Sequence, residues 1–372
     1  MKILVSCIPF DSGRSGISVY TREIIHYLQR SGHELTLIAE ERDKKFLPRD
    51  VSFITAPKWV RHPVLSMLYH LFVLPFFIQA KRYDFCIIAA ANRRVFAWYK
   101  LYTVAVVHDL AQYHIKNKYD IFRMIYLKQV LPFFIRRSPV VVAISESTKK
   151  DLIKFYKVKP EKIHVIYNGL TIVKPEKQSK TSYVEKYHLT PKKYLFYVSR
   201  IEHPGKNHLN VIRAFELLPE ALRQQYQLVF AGSDWHGAEV VHEYAEKSVC
   251  HNQIIFTGFI DSADLSDAYQ NAALYVFGSF YEGFGLSLCE AMYYQIPCCC
   301  SNTSSLAEIG RGAALLFEPS KPESIRDAIQ KILENKNEIQ KKLIAAGDKR
   351  WKQFDWQKTV EQIVDLYKKN EK

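Results

Sequence analysis

The chain has 372 residues, 48% of them hydrophobic, and carries 52 Lys and Arg against 38 Asp and Glu, a net charge of +14. That length accommodates two domains with separate cores, and no apolar run reaches the roughly 18–20 residues that would carry a helix across a bilayer. Residues 1–180 hold 30 Lys and Arg against 14 Asp and Glu, so an acidic partner is expected on that side: anionic lipid, a phosphorylated acceptor or nucleic acid.

Residues 1–7 read as a first β-strand. Their apolar run is too short for a signal peptide, and no small-residue cleavage site follows. Short β-branched or apolar runs at 3–8, 34–39, 84–89, 103–107, 140–144 and 163–166 predict strands, with helices over 18–30 and 147–155 among them. Such alternation predicts a parallel sheet flanked by helices. Two stretches stand apart. Lys58, Trp59, Arg61 and His62 lead into the almost wholly apolar residues 64–78, broken by Pro75 and closed by Lys81 and Arg82. Residues 116–137 mix Lys118, Arg123, Lys128, Arg136 and Arg137 with Phe122, Ile125, Tyr126, Leu127, Phe133 and Phe134. Basic residues beside bulky apolar ones suit the interfacial zone of an anionic membrane. The same pattern also fits core helices with solvated Lys and Arg, and both readings stand. A nucleic-acid partner is not expected, because the apolar runs are too continuous for a phosphate-tracking groove.

Asn168 and Gly169 mark a turn, and the polar residues 171–192 read as a linker with one short helix. A second strand series follows at 194–198, 227–231, 254–256, 274–277 and 297–301. Residues 322–372 read as helical, ending in an amphipathic helix over 357–369. No internal repeat and no low-complexity tract is read. The seven cysteines include Cys298, Cys299 and Cys300 in an apolar run, with no paired spacing for zinc, so reduced buried thiols in a cytoplasmic protein and no metal site are expected.

The most specific segment spans residues 280–292. It sets Glu282 and Glu290 eight positions apart, with Gly283, Phe284 and Gly285 between them. The glycines predict a sharp turn, and residues 286–294 read as a helix. Its first amides, including those of Leu286 and Ser287, would face an anion such as phosphate. Glu290, further in, is free to accept bonds from neutral hydroxyls such as those of a ribose. Together these suggest a nucleotide-sugar. Loss of a nucleoside diphosphate builds negative charge on the leaving phosphate, which needs a cationic counterpart. No Asp-x-Asp pair is present for a metal, whereas Arg200 and Lys206 flank the turn at Pro204 and Gly205 and offer a fork and a point charge.

This segment resembles the E-x7-E signature of the retaining glycosyltransferases of family 4, with Ser287 where proline is common. The Arg200, Lys206, Asn207 arrangement is similar to the family's diphosphate clamp. The resemblance runs from residue 1 to about 365. It implies the α/β GT-B fold: two Rossmann-like domains with an interdomain cleft, and a C-terminal helix crossing back to the first domain. The expected boundaries are 1–170 for an acceptor-side domain, 171–192 for the linker, 193–350 for a nucleotide-sugar domain and 351–372 for the returning helix. It also implies that the loop Gly13, Arg14, Ser15, Gly16 faces the donor phosphates, with amides of Ser15 and Gly16 in reach; Arg14 reads as a solvated side chain, with phosphate or acceptor as the alternative. His108, after the strand 103–107, would lie near the transferred sugar. Gly258 and Phe259 match a position that contacts the base. Tyr294, Gln295 and Ile296 stand where the family often has a glycine before proline, a helix-end difference without chemical consequence.

The expected reaction is metal-independent, retaining transfer of a hexose to a saccharide or lipid-linked saccharide in polysaccharide biosynthesis, with GDP-mannose as first donor. No cofactor is expected. His108, Glu282, Arg200 and Lys206 would serve the chemistry. Ser15, Gly16, Arg200, Lys206, Gly258, Phe259, Glu282, Gly283, Phe284, Gly285, Leu286, Ser287 and Glu290 would hold the donor. The alternatives are another GT-B enzyme, a phosphorylase or a nucleotide-sugar epimerase, or a non-catalytic sugar- or lipid-binding protein. The expected location is cytoplasmic, peripheral on the inner membrane face.

Overall fold

The computed structural model describes residues 1–10, 13, 15–115, 119–172 and 181–370. Arg14, Lys116, Lys118 and linker residues 173–180 lie outside the described residues. The chain divides into two units, Met1–Gly169 with Asp355–Lys372, and Leu170–Phe354.

The first unit is built on seven parallel strands: β1 (Lys2–Ser6), β2 (Glu34–Glu40), β3 (Ser52–Ala56), β4 (Phe85–Ile88), β5 (Thr103–Val107), β6 (Val140–Ala143) and β7 (Ile163–Val165). Their spatial order is β3-β2-β1-β4-β5-β6-β7. The central strands β4, β5 and β6 are buried throughout, as apolar runs covered on both faces must be. β3 is half-exposed at the sheet edge, and its mixed sequence hid it from pattern reading. Chain order reverses between β1 and β4, the position at which ligands bind in open parallel sheets.

The last helix, Trp356–Asn370, belongs to this unit. Its spacing buries Trp356, Val360, Ile363, Val364 and Tyr367 on one stripe. Trp356 meets the edge of Tyr20 at 5.5 Å, and Tyr367 stacks on Phe85 at 5.0 Å. Gly169 is required beneath it, because a Cβ there would lie 2.3 Å from the Trp356 ring.

The two apolar–basic stretches are one element used twice, which corrects the expectation of no internal repeat. Val73-Leu-Pro-Phe-Phe-Ile78 and Val130-Leu-Pro-Phe-Phe-Ile135 are identical, and Met67 and Tyr69 correspond to Met124 and Tyr126. Each is an α-helical segment, a π-turn and a second α-helical segment: Pro63–Leu68, Tyr69–Val73 and Leu74–Phe77, then Ile121–Ile125, Tyr126–Val130 and Leu131–Ile135. Proline has no N–H and crowds the carbonyl four residues back, so the ladder shifts by one residue just before it. The Leu74 and Leu131 amides accordingly donate five residues back, to Tyr69 and Tyr126. The carbonyls this releases are taken elsewhere: Leu71 accepts from the Ala97 amide and Leu127 from the Tyr156 hydroxyl.

His70 is sealed under the first copy. Its Nδ1–H donates to the Val95 carbonyl, which can only accept, so Nε2 accepts the Ser6 hydroxyl at 2.7 Å. Burial pushes its pKa down to about 3.

The second unit has six parallel strands: β8 (Tyr194–Val198), β9 (Gln227–Ala231), β10 (Ile254–Phe256), β11 (Leu274–Phe277), β12 (Cys298–Ser301) and β13 (Leu315–Phe317), in the order β10-β9-β8-β11-β12-β13. β13 was not read from the sequence. Its reversal point lies between β8 and β11. Cys298, Cys299 and Cys300 are all buried in β12, where desolvation holds the thiols protonated. The helix Leu286–Tyr293 closes with paired end bonds, Gln295 N–H to Met292 and Ile296 N–H to Ala291. Gln295 carries the left-handed φ of 56° that such an end requires. Gln295→Gly should therefore stabilise this unit by about 0.5–1 kcal/mol in urea titrations, and an unchanged or lower midpoint refutes the account.

Candidate active site

In the second unit the polar residues gather at the carboxyl ends of β8 and β11, the two strands that flank its reversal point. The loop after β8 is stitched down by Asn207. Its side-chain amide donates to the carbonyls of Gly278 at 3.0 Å and Pro319 at 2.8 Å, and its φ of 58° turns the chain into the helix His208–Glu216. The Phe280 amide donates to the Gly205 carbonyl. The Tyr197 hydroxyl bonds both the Lys206 carbonyl and Ser279. These bonds fix Lys206 over the loop after β11, where its Nζ donates to Glu282 Oε1 at 2.6 Å. Both side chains are mostly shielded from water. The pair is charge-assisted and short, the strong class of hydrogen bond.

Glu282 is held by its backbone. Its amide donates to Ser304 Oγ at 3.0 Å, its carbonyl accepts from the Ser305 hydroxyl at 2.8 Å, and Thr303 donates to Phe280. Three residues on, Gly285 at φ 107° turns the chain into the helix Leu286–Tyr293, and a Cβ there would meet Leu306 at 2.7 Å. Of the two motif glycines, Gly285 is the one with a positive φ. The first amides of this helix, those of Leu286 and Ser287, have no acceptor within it, the feature that suits a helix start to an anion. Ser287 is partly exposed there.

Three predicted positions are arranged differently from the expectation. Glu290 is not free: its carboxylate accepts the Tyr269 hydroxyl at 2.9 Å. Burial raises its pKa and the tyrosine bond opposes that rise. Phe284 is buried edge-on against Phe354 at 5.2 Å, so only its backbone can serve a ligand. Arg200 does not share a counter-ion with Lys206. Its half-exposed guanidinium lies over Trp235 at 4.8 Å and 3.4 Å from Glu202. Gly258, at φ 69°, accepts the Gly232 amide beside the ends of β9 and β10, and Phe259 next to it is 78% exposed.

In the first unit, Ser15 caps the helix Gly16–Arg30 by accepting the Ser18 amide. His108 ends β5, buried, with Nε2 2.7 Å from the Ala89 carbonyl. A carbonyl only accepts, so Nε2 bears the proton. Burial pushes the pKa down to about 4, which leaves Nδ1 a neutral acceptor at physiological pH. The Tyr20 ring stands edge-on to it at 4.7 Å, and the Tyr20 hydroxyl is buried without a hydrogen-bond partner. Asp109 accepts the Ala111 amide and shapes its own turn.

The structure thus joins Lys206, Glu282, Gly285, Leu286, Ser287 and Glu290 in one region of the second unit, with Gly258, Phe259 and Arg200 along the same sheet edge. Ser15, Gly16 and His108 belong to the first unit. Sequence reading missed Tyr20, Tyr269, Ser304 and Ser305. Only the polar run 302–305 gave a local signal for any of these. Among the described residues no group of three His, Cys, Asp or Glu side chains converges on a possible metal position.

Residues 14–173 match the model for Glycosyltransferase Family 4, and residues 179–350 that for Glycosyl transferases group 1. The chain is 26% identical over 272 residues to O-antigen chain mannosyltransferase B of Escherichia coli, covering 71% of this chain and 70% of that one. It is 29% identical over 272 residues to the serotype-specific mannosyltransferase WbdA of the same organism, of whose length the match spans a third. Among solved structures, Alr3699/HepE of Anabaena in complex with UDP and glucose superposes with a TM-score of 0.73 at 19% identity, over 99% of this chain and all of that one. WaaG, a glycosyltransferase involved in lipopolysaccharide biosynthesis, superposes with a TM-score of 0.70 at 17% identity, over 99% of each chain.

Proposed function

Because the chain belongs to the family 4, group 1 glycosyltransferases and has their GT-B fold, we propose that it transfers mannose from GDP-mannose, with retention of configuration and without a metal. The acceptor is a saccharide or lipid-linked saccharide of a surface polysaccharide, and the enzyme works as a peripheral protein at the inner membrane face. The observation that carries the reading is the Lys206–Glu282 pair beside the open helix start at Gly285. The mannosyl specificity rests on the O-antigen mannosyltransferase relatives, named as such in two cases.

In this reading the diphosphate lies on the amides of Leu286 and Ser287 and draws Lys206 to itself. The Glu282 carboxylate, released from Lys206, then accepts hydroxyls of the transferred sugar. Arg200, on the same sheet edge, swings from Glu202 and Trp235 to a second phosphate oxygen. Together they offset the charge that builds as the sugar leaves. His108 Nδ1 accepts a sugar hydroxyl and orients the ring. Glu290, oriented by Tyr269, accepts the ribose hydroxyls, and Gly258 and Phe259 adjoin the base. The first unit receives the acceptor. The departing phosphate assists deprotonation of the acceptor, which attacks from the same face.

A thermal-shift panel of GDP-, UDP- and dTDP-sugars should single out GDP-mannose, and turnover should withstand EDTA. A strict manganese requirement, or a larger shift with another donor, overturns the corresponding part. Glu290→Ala should raise the donor KM by about 10–100-fold with little change in kcat, the effect of losing charge-assisted hydrogen bonds made equally in ground and transition states. An unchanged KM removes Glu290 from the ribose.

A further inference from the structure

We propose that the repeated helix–π–helix element of the first unit is a docking platform for an anionic bilayer surface. This deepens the peripheral location proposed above and is independent of the chemistry of transfer. Of nineteen exposed large apolar side chains among the described residues, eleven lie on residues 59–77 and 121–133. Phe76, Phe77, Ile121 and Phe122 are each at least 70% exposed. These side chains are not surplus core. The inward faces of both copies already fill the core with Tyr69, Leu71 and Leu74, and with Tyr126, Leu127 and Leu131. A helix that is apolar inward and outward requires a second apolar phase on its outer side.

The two copies form one surface. Phe72 meets Phe134 edge-on at 6.4 Å, and the Tyr99 hydroxyl donates to the Phe134 carbonyl. Phe76 lies near Trp98, and Lys100 both donates to the Phe76 carbonyl and sits over its ring at 5.1 Å.

Charge decides the occupant. The first unit holds 31 Lys and Arg against 17 Asp and Glu and so carries the whole net charge of +14. Residues 58–82 and 119–137 contain eight of those cations and a single acid, Asp120, which is used to cap Arg123. Arg137 lies over the Phe133 ring at 3.6 Å, a long basic side chain lying along an apolar one with its charge at the rim. A second copy of this chain would bring an equally basic face, and a neutral apolar partner would leave the cations uncompensated. An anionic membrane offers an apolar phase edged by negative headgroups at the matching depth.

The test is co-sedimentation of the full chain with vesicles of phosphatidylcholine alone or with about one third phosphatidylglycerol. The chain should bind the anionic vesicles at least about tenfold more tightly, and binding should weaken between about 0.1 and 0.5 M salt. A Phe76→Ser, Phe77→Ser, Phe122→Ser variant should lose at least about tenfold in vesicle binding, with its unfolding midpoint and its nucleotide-sugar thermal shift unchanged. A Lys81→Glu, Arg82→Glu, Arg137→Glu variant should lose the preference for phosphatidylglycerol. The proposal falls if the chain binds neither vesicle or if the triple serine variant binds like the parent. It also falls if that variant instead breaks a concentration-dependent dimer in vesicle-free buffer. Nucleotide-sugar shifts read the donor site separately, so loss of one result leaves the other standing.

Discussion

Replacing Lys206 by alanine is expected to lower kcat by about 10²–10³, while the donor KM changes only a few-fold. The Nζ sits 2.6 Å from Glu282 in the free protein, so the ground state already satisfies it. It gains most when a phosphate oxygen acquires charge, which happens as the sugar–phosphate bond breaks. A group that binds better in the transition state than before it moves kcat, not KM. The variant also leaves Glu282 without its counter-ion, and Lys206→Arg separates the two effects: it restores a cation, so kcat should recover in part. If Lys206→Ala raised KM alone, Lys206 would be a ground-state binder and its proposed part in offsetting the charge on the leaving phosphate would be wrong. A fall in stability with normal kcat would make it structural.

Acid should unfold this protein well before its carboxylates are fully protonated. Burial holds His70 and His208 at about 3 and His108 at about 4, against an ordinary value near 6.5. The unfolded chain therefore takes up protons below pH 6.5 that the folded chain refuses. Stability from these groups is complete above pH 6.5 and is lost as pH falls toward the folded values. Each such histidine contributes a slope of about 1.4 kcal/mol per pH unit. Between pH 6.5 and 4.5 the two in the first unit remove about 4 kcal/mol and the one in the second about 2, a large share of a domain's stability. Two of them lie in the first unit, so that unit should lose urea resistance roughly twice as steeply as the second. Urea titrations at pH 7.5, 6.5 and 5.5, followed by unit-specific tryptophan signals, measure the slopes. A stability flat across this range would show that these rings are protonated in the fold.

Much of the strand framework was legible because apolar, β-branched runs with no amphipathic alternation belong to strands covered on both faces, as β4, β5 and β6 are. The edge strands β3 and β13 were not, since an edge strand carries a mixed pattern that a loop also shows. The Glu282–Glu290 motif was legible for a local reason: a glycine turn and the helix that follows it are fixed by neighbours in sequence. The repeated Val-Leu-Pro-Phe-Phe-Ile was present to be read but passed as two unrelated apolar runs. Only the matching π-turns made it one element.

By itself the sequence determined the two α/β series, the glycine turn and the helix that starts after it, the basic first half and the residue types available for chemistry. The tertiary structure alone decided which of them meet. Lys206 reaches Glu282 across 76 positions because β8 and β11 are neighbours at the reversal point of their sheet. Tyr269 turns Glu290 from a free carboxylate into an oriented one, and Asn207 ties two distant carbonyls to one loop. Helix starts and turns are settled within a few residues by backbone sterics and hydrogen bonding. Strand order is settled by burying whole faces at once, and no short window of sequence contains that choice.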